Sequence, residues 1–369
     1  MKKSPYFLLV LTALLFQSCE KEPAPLVIPA AYDGANFTAN TTVETSLKTS
    51  FNNFSSEMKK GSVKGVVLDA ATLNNLYTSG NPSLSAKTTA YYKSNIEGAG
   101  GWLEELVKSS GTDYVPGAPT GQGGVYVNRL LDENGLEILQ VIEKGMYAAT
   151  LYNHAVQLME GQLDAAAVDQ MLSTFGAHPD FSNTDNGVSN PDRLMALYAA
   201  RRDKNDGQGL YSQIKNAFIK LQAAVKAGSD YEDEQTEALE ELAIAWEKIN
   251  FATVINYCHA ATSKLSATNP DDAAKAGALH DYSEAVGFIH GWKGIDTDHR
   301  IISDAQTDEL LTLLHAPAGA APTSYKFITD PVNEVPKFTQ AIQKLQQIYG
   351  FTDQQIADFR ENWVSKQGR

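Results

Sequence analysis

The chain has 369 residues, 43% of them hydrophobic, and its 44 acidic against 30 basic side chains leave a net charge of −14. That charge repels phosphate backbones and no basic, aromatic-rich stretch offers a local exception, so nucleic-acid binding is disfavoured. Cys19 and Cys258 are the two cysteines, too few for a disulfide framework, and a body of about 340 residues needs no such staples.

The amino terminus sets Lys2 and Lys3 before an apolar run from Tyr6 to Phe16, followed by small or polar residues up to Cys19. The run is shorter than the roughly 20 residues of a bilayer span, so residues 1–18 read as a cleaved secretory signal peptide. Phe16, Gln17 and Ser18 ahead of Cys19 resemble a bacterial lipobox, with Phe16 where that pattern prefers leucine. The resemblance implies lipid attachment at Cys19 and a cell-envelope location, anchored to the outer membrane, with the facing side left open. Residues 19–31, charged and then proline-rich, are expected to form an extended tether.

From residue 32 onward the periodicity is helical, which predicts an all-α multi-helix bundle. A single core seldom serves so long a body, so two packed lobes are expected, 32–176 and 190–369. Thr41 and Glu44 have capping-box spacing ahead of a helix with Leu47, Phe51, Phe54 and Met58 on one face, stopped at Gly61. Glycine and proline mark residues 98–101 and 111–124 as loops, and Val125–Val127 reads as a strand fragment. Asn134 and Glu137 repeat the capping-box spacing before a long helix that reaches Met159. It is apolar on more than one side and carries Glu143 and Lys144, so Lys144 either enters the core or lays its stem over a solvated edge.

Leu163–Phe175 is a helix closed by Gly176. The polar loop that follows lacks the acids an EF-hand needs at its ligand positions. Asn190 and Pro191 read as the start of the next helix, and a further one spans Tyr211–Val225. The acidic run Asp230–Glu241 opens the longest helix, whose later part is apolar on several faces yet holds Glu247, Asn250, Asn256 and His259. Pro336–Tyr349 and Thr352–Trp363 close the chain as two helices. No phosphate-binding glycine loop, GxSxG, HExxH or CxxC occurs, so an enzyme is the less expected class.

The helix from Ala273 to Trp292 is the main site candidate. At about 100° per residue it stacks His280, Glu284, Gly287 and Gly291 on one stripe, while His290 falls off it and is expected at the surface. The empty lower stripe admits a ligand, a metal or another helix. Imidazole and carboxylate suit iron or zinc, but two ligands do not hold a metal, and a third would come from His259 or Glu247, with Lys144 nearby. The alternative is a structural hydrogen bond from His280 to Glu284, Asn256 or His259.

The lipobox and the runs GLEILQVIEKGMYAATLYN, AWEKINFATVINY and ALHDYSEAVGFIHGW together resemble the bacterial lipoprotein family called domain of unknown function 4856. More distantly, a helix bearing a His and a nearby Glu is similar to imelysin-like proteins, whose GxHxxE motif is here stretched to Gly277, His280 and Glu284. These resemblances imply a helical lipoprotein that binds a ligand, in iron or other nutrient acquisition beside an outer-membrane uptake system. The alternatives are an interaction component of an envelope complex and a metal-dependent hydrolase with Glu284 as general base.

Overall fold

The computed structural model describes residues 23–117 and 119–369; the signal peptide and Cys19 lie outside the described residues. Residues 23–31 run without helix or strand along the body, where the Tyr231 hydroxyl donates to the Ala24 carbonyl at 2.9 Å. Beyond them the chain is an all-α bundle. Its one described sheet is a hairpin in which β1 (Gly124–Tyr126) pairs antiparallel with β2 (Arg129–Leu131), Val125 opposite Leu130.

The main helices are α1 (Thr42–Lys59), α2 (Ala90–Glu97), α3 (Trp102–Ser109) and α4 (Ile138–Met146). The α4 rod continues through a π-helical turn, Tyr147–Tyr152, into α5 (Asn153–Met159). After it come α6 (Ala165–Phe175), α7 (Leu194–Arg202), α8 (Leu210–Ala227), α9 (Glu232–Leu265), α10 (Asp272–His290), α11 (Asp304–Leu313) and α12 (Pro336–Tyr349). No described helix is long and apolar enough to cross a membrane.

Helix α9 is the scaffold. Its 34 residues contain no glycine or proline, which lets the rod run for about 50 Å, and Glu232, Asp233 and Glu234 oppose the dipole in its first turn. Between Leu242 and Cys258 it buries most of its circumference, packing on α8, α10 and α12. One connected hydrophobic core reaches from Tyr32 to Val364 and takes residues from both halves of the sequence.

Helix α10 packs between α9 and α4, and its glycines set the distance to α4. A Cβ on Gly287 would stand 2.6 Å from the Gln140 carbonyl oxygen, and one on Gly291 would collide with the Gly145 carbonyl. Gly145 in turn makes room for Tyr92, whose hydroxyl donates to the Val141 carbonyl at 2.5 Å. The empty stripe is therefore filled by a helix backbone. Gly291→Ala should lower stability by about 1–3 kcal/mol through overpacking, as read in urea unfolding, because the colliding atoms are backbone and cannot rotate away. An unchanged midpoint would mean that the two helices separate freely.

Several local expectations are corrected. Thr41 makes no side-chain cap; Glu44 is buried and meets His154 Nε2 at 2.9 Å instead. Asn134 does not cap α4 either, because the turn at Asp132 delays the helix until Ile138 and leaves the Glu137 carboxylate for a distant partner. The helix expected from Asn190 begins at Leu194, since Asp192 is drawn into the core by the Tyr211 hydroxyl at 2.8 Å. The last segment breaks into Asp353–Asp358 and Trp363–Gln367.

Candidate functional site

The contact between α4 and α10 joins a row of ionisable side chains. His280 sits between two carboxylates, with Nδ1 2.7 Å from Glu137 Oε2 and Nε2 3.6 Å from Glu284 Oε2. The other Glu284 oxygen lies 3.2 Å from Lys144 Nζ, which also reaches Glu143 Oε1 at 2.6 Å. Glu143 then meets Lys59 from α1 at 2.8 Å and accepts from Ser55. Glu137, Glu143, Lys144 and Glu284 are all buried.

Within the row the lysines and carboxylates hold one another charged. Burial works against the Lys144 ammonium, yet Glu143, the Tyr198 ring hydroxyl and Glu284 hold its pKa well above the ordinary lysine value. Burial likewise raises Glu143, but Lys144 and Lys59 more than reverse this and bring it to about 2. The ammonium lies 5.8 Å from the ring centroids of Tyr147 and Tyr198, so aromatic faces complete its surroundings. Lys144 thus takes the place between two carboxylates that a metal cation would need. Among the described residues no group of three or more His, Cys, Asp or Glu is arranged to hold a metal ion.

The structure therefore brings together three of the sequence candidates, His280, Glu284 and Lys144, and separates the other two. Glu247 accepts from the Ile302 amide at 2.8 Å, the Ile301 amide at 2.5 Å and the Tyr349 hydroxyl at 2.6 Å, fastening the 301–302 turn to α9. Burial raises its pKa although these donors oppose the shift. His259 is half-buried beside Arg360, 3.3 Å from its Nε, and burial followed by the Arg360 charge lowers it to about 4. Neither is hydrogen-bonded to His280 or Glu284. Asn256, the other expected neighbour, donates to the Phe359 and Arg360 carbonyls.

His290 also departs from expectation. It is 5% exposed, stacked on Tyr91 at 5.6 Å and set edge-on to Trp102 at 5.0 Å. Burial, helped by Lys293, lowers its pKa to about 3, so it is neutral across the physiological range. Its Nε2 stands 3.4 Å from the Tyr91 hydroxyl, and its Nδ1 has no hydrogen-bond partner among the described residues. A buried polar atom without a partner costs about 1–3 kcal/mol, and that makes its surroundings the place to look for a ligand.

Those surroundings are a cleft of about 370 Å³ bordered by α3, α4, α10 and the 316–322 loop. That volume is in the range of small-molecule sites. Trp102 and His290 form one wall; Asp132, Glu133 and Asn134 of the turn before α4 form another, and Val286 and Pro317 contribute apolar surface. Asp132 is buried and accepts from the amides of Asn134 and Leu136 at 2.9 and 2.7 Å, yet burial still lifts its pKa to about 7. Sequence reading missed Trp102, Asp132 and Glu137. The Asp-Glu-Asn-Gly composition of residues 132–135 is a turn signal that could have found the bend, but nothing local places Trp102 against it.

No family model, curated protein or solved structure matches this chain.

Proposed function

We propose that the chain is the helical body of a lipid-anchored cell-envelope protein that binds a small organic ligand in the Trp102–His290 cleft, without catalysing its conversion. The observation that carries the reading is the unpartnered Nδ1 of a buried, neutral His290 lining a cleft of ligand size beside an accessible tryptophan face. The row from Glu137 to Lys59 is assigned a structural role, because every member already has an opposite charge or a donor within the protein. That assignment moves the site away from His280 and Glu284, and the iron or zinc and hydrolase readings rest on the sequence alone.

Anchoring through Cys19, the tie to the domain of unknown function 4856 family and a role in nutrient acquisition remain proposals drawn from the sequence. Cys19→Ser should move the protein from the membrane to the soluble fraction; an unchanged distribution would remove the anchor. For the cleft, a metabolite library screened by thermal shift should contain compounds that raise the melting temperature of the mature chain but not of its Trp102→Ala variant. Shifts that survive in the variant, or none at all, would remove the cleft as the site.

A further inference from the structure

The residues bordering the cleft include three carboxylates, Glu105, Asp132 and Glu133, and neither lysine nor arginine. The one imidazole there is held neutral by its burial. The nearest countercharge to Glu105 is the exposed Lys108, one turn along α3 at 3.3 Å, a pairing that water weakens. Trp102 adds a partly exposed indole face, and aromatic faces attract cations more strongly when water is thinned around them. Leu136, Ile138, Val141 and Val286 contribute aliphatic surface, beside the amide side chains of Asn95 and Asn134 and the 316–322 loop. A ligand matching these walls carries positive charge at one end and an apolar body at the other.

We infer that the cleft selects an organic ammonium ion: a protonated amine with an apolar body, its charge toward the Asp132–Glu133 turn and Trp102, its body against α4 and α10. The inference rests on the cleft being the binding site. An anion would face three carboxylates with no cation to receive it, and a neutral ligand would gain hydrogen bonds from them but no charge attraction. His290, whose Nδ1 has no hydrogen-bond partner among the described residues, lines the same cleft.

Three probes share one apolar body and differ in charge: phenethylamine, 2-phenylethanol and phenylacetate. Isothermal titration of each into the mature full chain at pH 7.5 should find the amine bound about tenfold or more tighter than the alcohol, with phenylacetate unbound. Glu133→Gln, a half-buried substitution that keeps the fold, should weaken the amine several-fold and leave the alcohol unchanged, and Trp102→Ala should weaken both. Alcohol binding equal to the amine, or binding of phenylacetate, would overturn the cationic class; if Trp102→Ala abolishes that binding, the cleft itself stands. No binding of any of the three would also overturn the class, and the cleft would then be judged on the library screen.

Discussion

Lys144→Met is expected to destabilise the fold by about 3–5 kcal/mol, among the largest losses a single substitution here can cause. Methionine fills the same space, so packing is nearly conserved and the loss comes from charge. Without the ammonium, Glu284 keeps His280 at 3.6 Å as its nearest partner, and Glu143 keeps Lys59, whose own side chain is 54% exposed. Two buried carboxylates would then face each other across the gap. Acid should partly rescue the variant by protonating one of them, so its deficit shrinks as pH falls from 7 toward 5. The triple variant Glu143→Gln, Lys144→Met and Glu284→Gln removes all three charges together and should recover most of the stability. Urea unfolding followed by far-ultraviolet circular dichroism reads all of these. A loss under about 1 kcal/mol for Lys144→Met alone would mean that water reaches the row and that its charges are not mutually required.

The elements that could be read in the sequence were those whose cause is local. The α10 stripe follows from helical geometry, and the span of α12 follows from its proline start, its apolar spacing and the left-handed Gly350 that ends it. What filled the stripe was not local. Glu137, the partner of His280, lies 143 residues earlier, and the backbone packed against Gly287 belongs to the same distant helix. Glu44 and Glu137 show how the misreadings arose. Each has capping-box spacing, but each is buried and hydrogen-bonded to a histidine from another helix, and leaving such a buried group unpaired would cost about 1–3 kcal/mol, as much as or more than an exposed cap worth about 1 kcal/mol. His290 failed for a related reason. A histidine in a last helical turn usually favours solvent and the helix dipole, whereas here Tyr91, Tyr92 and Trp102 from α2 and α3 enclose it.

Asp132 gives the second large effect, and it runs with pH. Its carboxyl ordinarily titrates at 3.8, as it would in the unfolded chain, and burial lifts it to about 7 in the folded protein. Between those values the folded state holds a proton that the unfolded state has released, so the stability Asp132 contributes is fully present below 3.8 and is lost as pH rises through about 7. At about 1.4 kcal/mol per decade of pH, the loss is on the order of 4 kcal/mol. His290 acts in the opposite sense: its stabilising neutral form is present above 6.5 and lost as pH falls toward about 3, so the two groups mask each other in the wild-type profile. Asp132→Asn separates them. The amide oxygen still accepts from the Asn134 and Leu136 amides, but no charge remains to be buried, so the variant should gain on the wild type from pH 4.5 to about pH 7 and level off by pH 8. Urea midpoints at pH 4.5, 6 and 8 measure that gain. A wild-type-to-variant difference that stays constant over the range would place the Asp132 carboxyl in contact with bulk water, and the cleft wall it forms would then be too wet to hold an ammonium tightly.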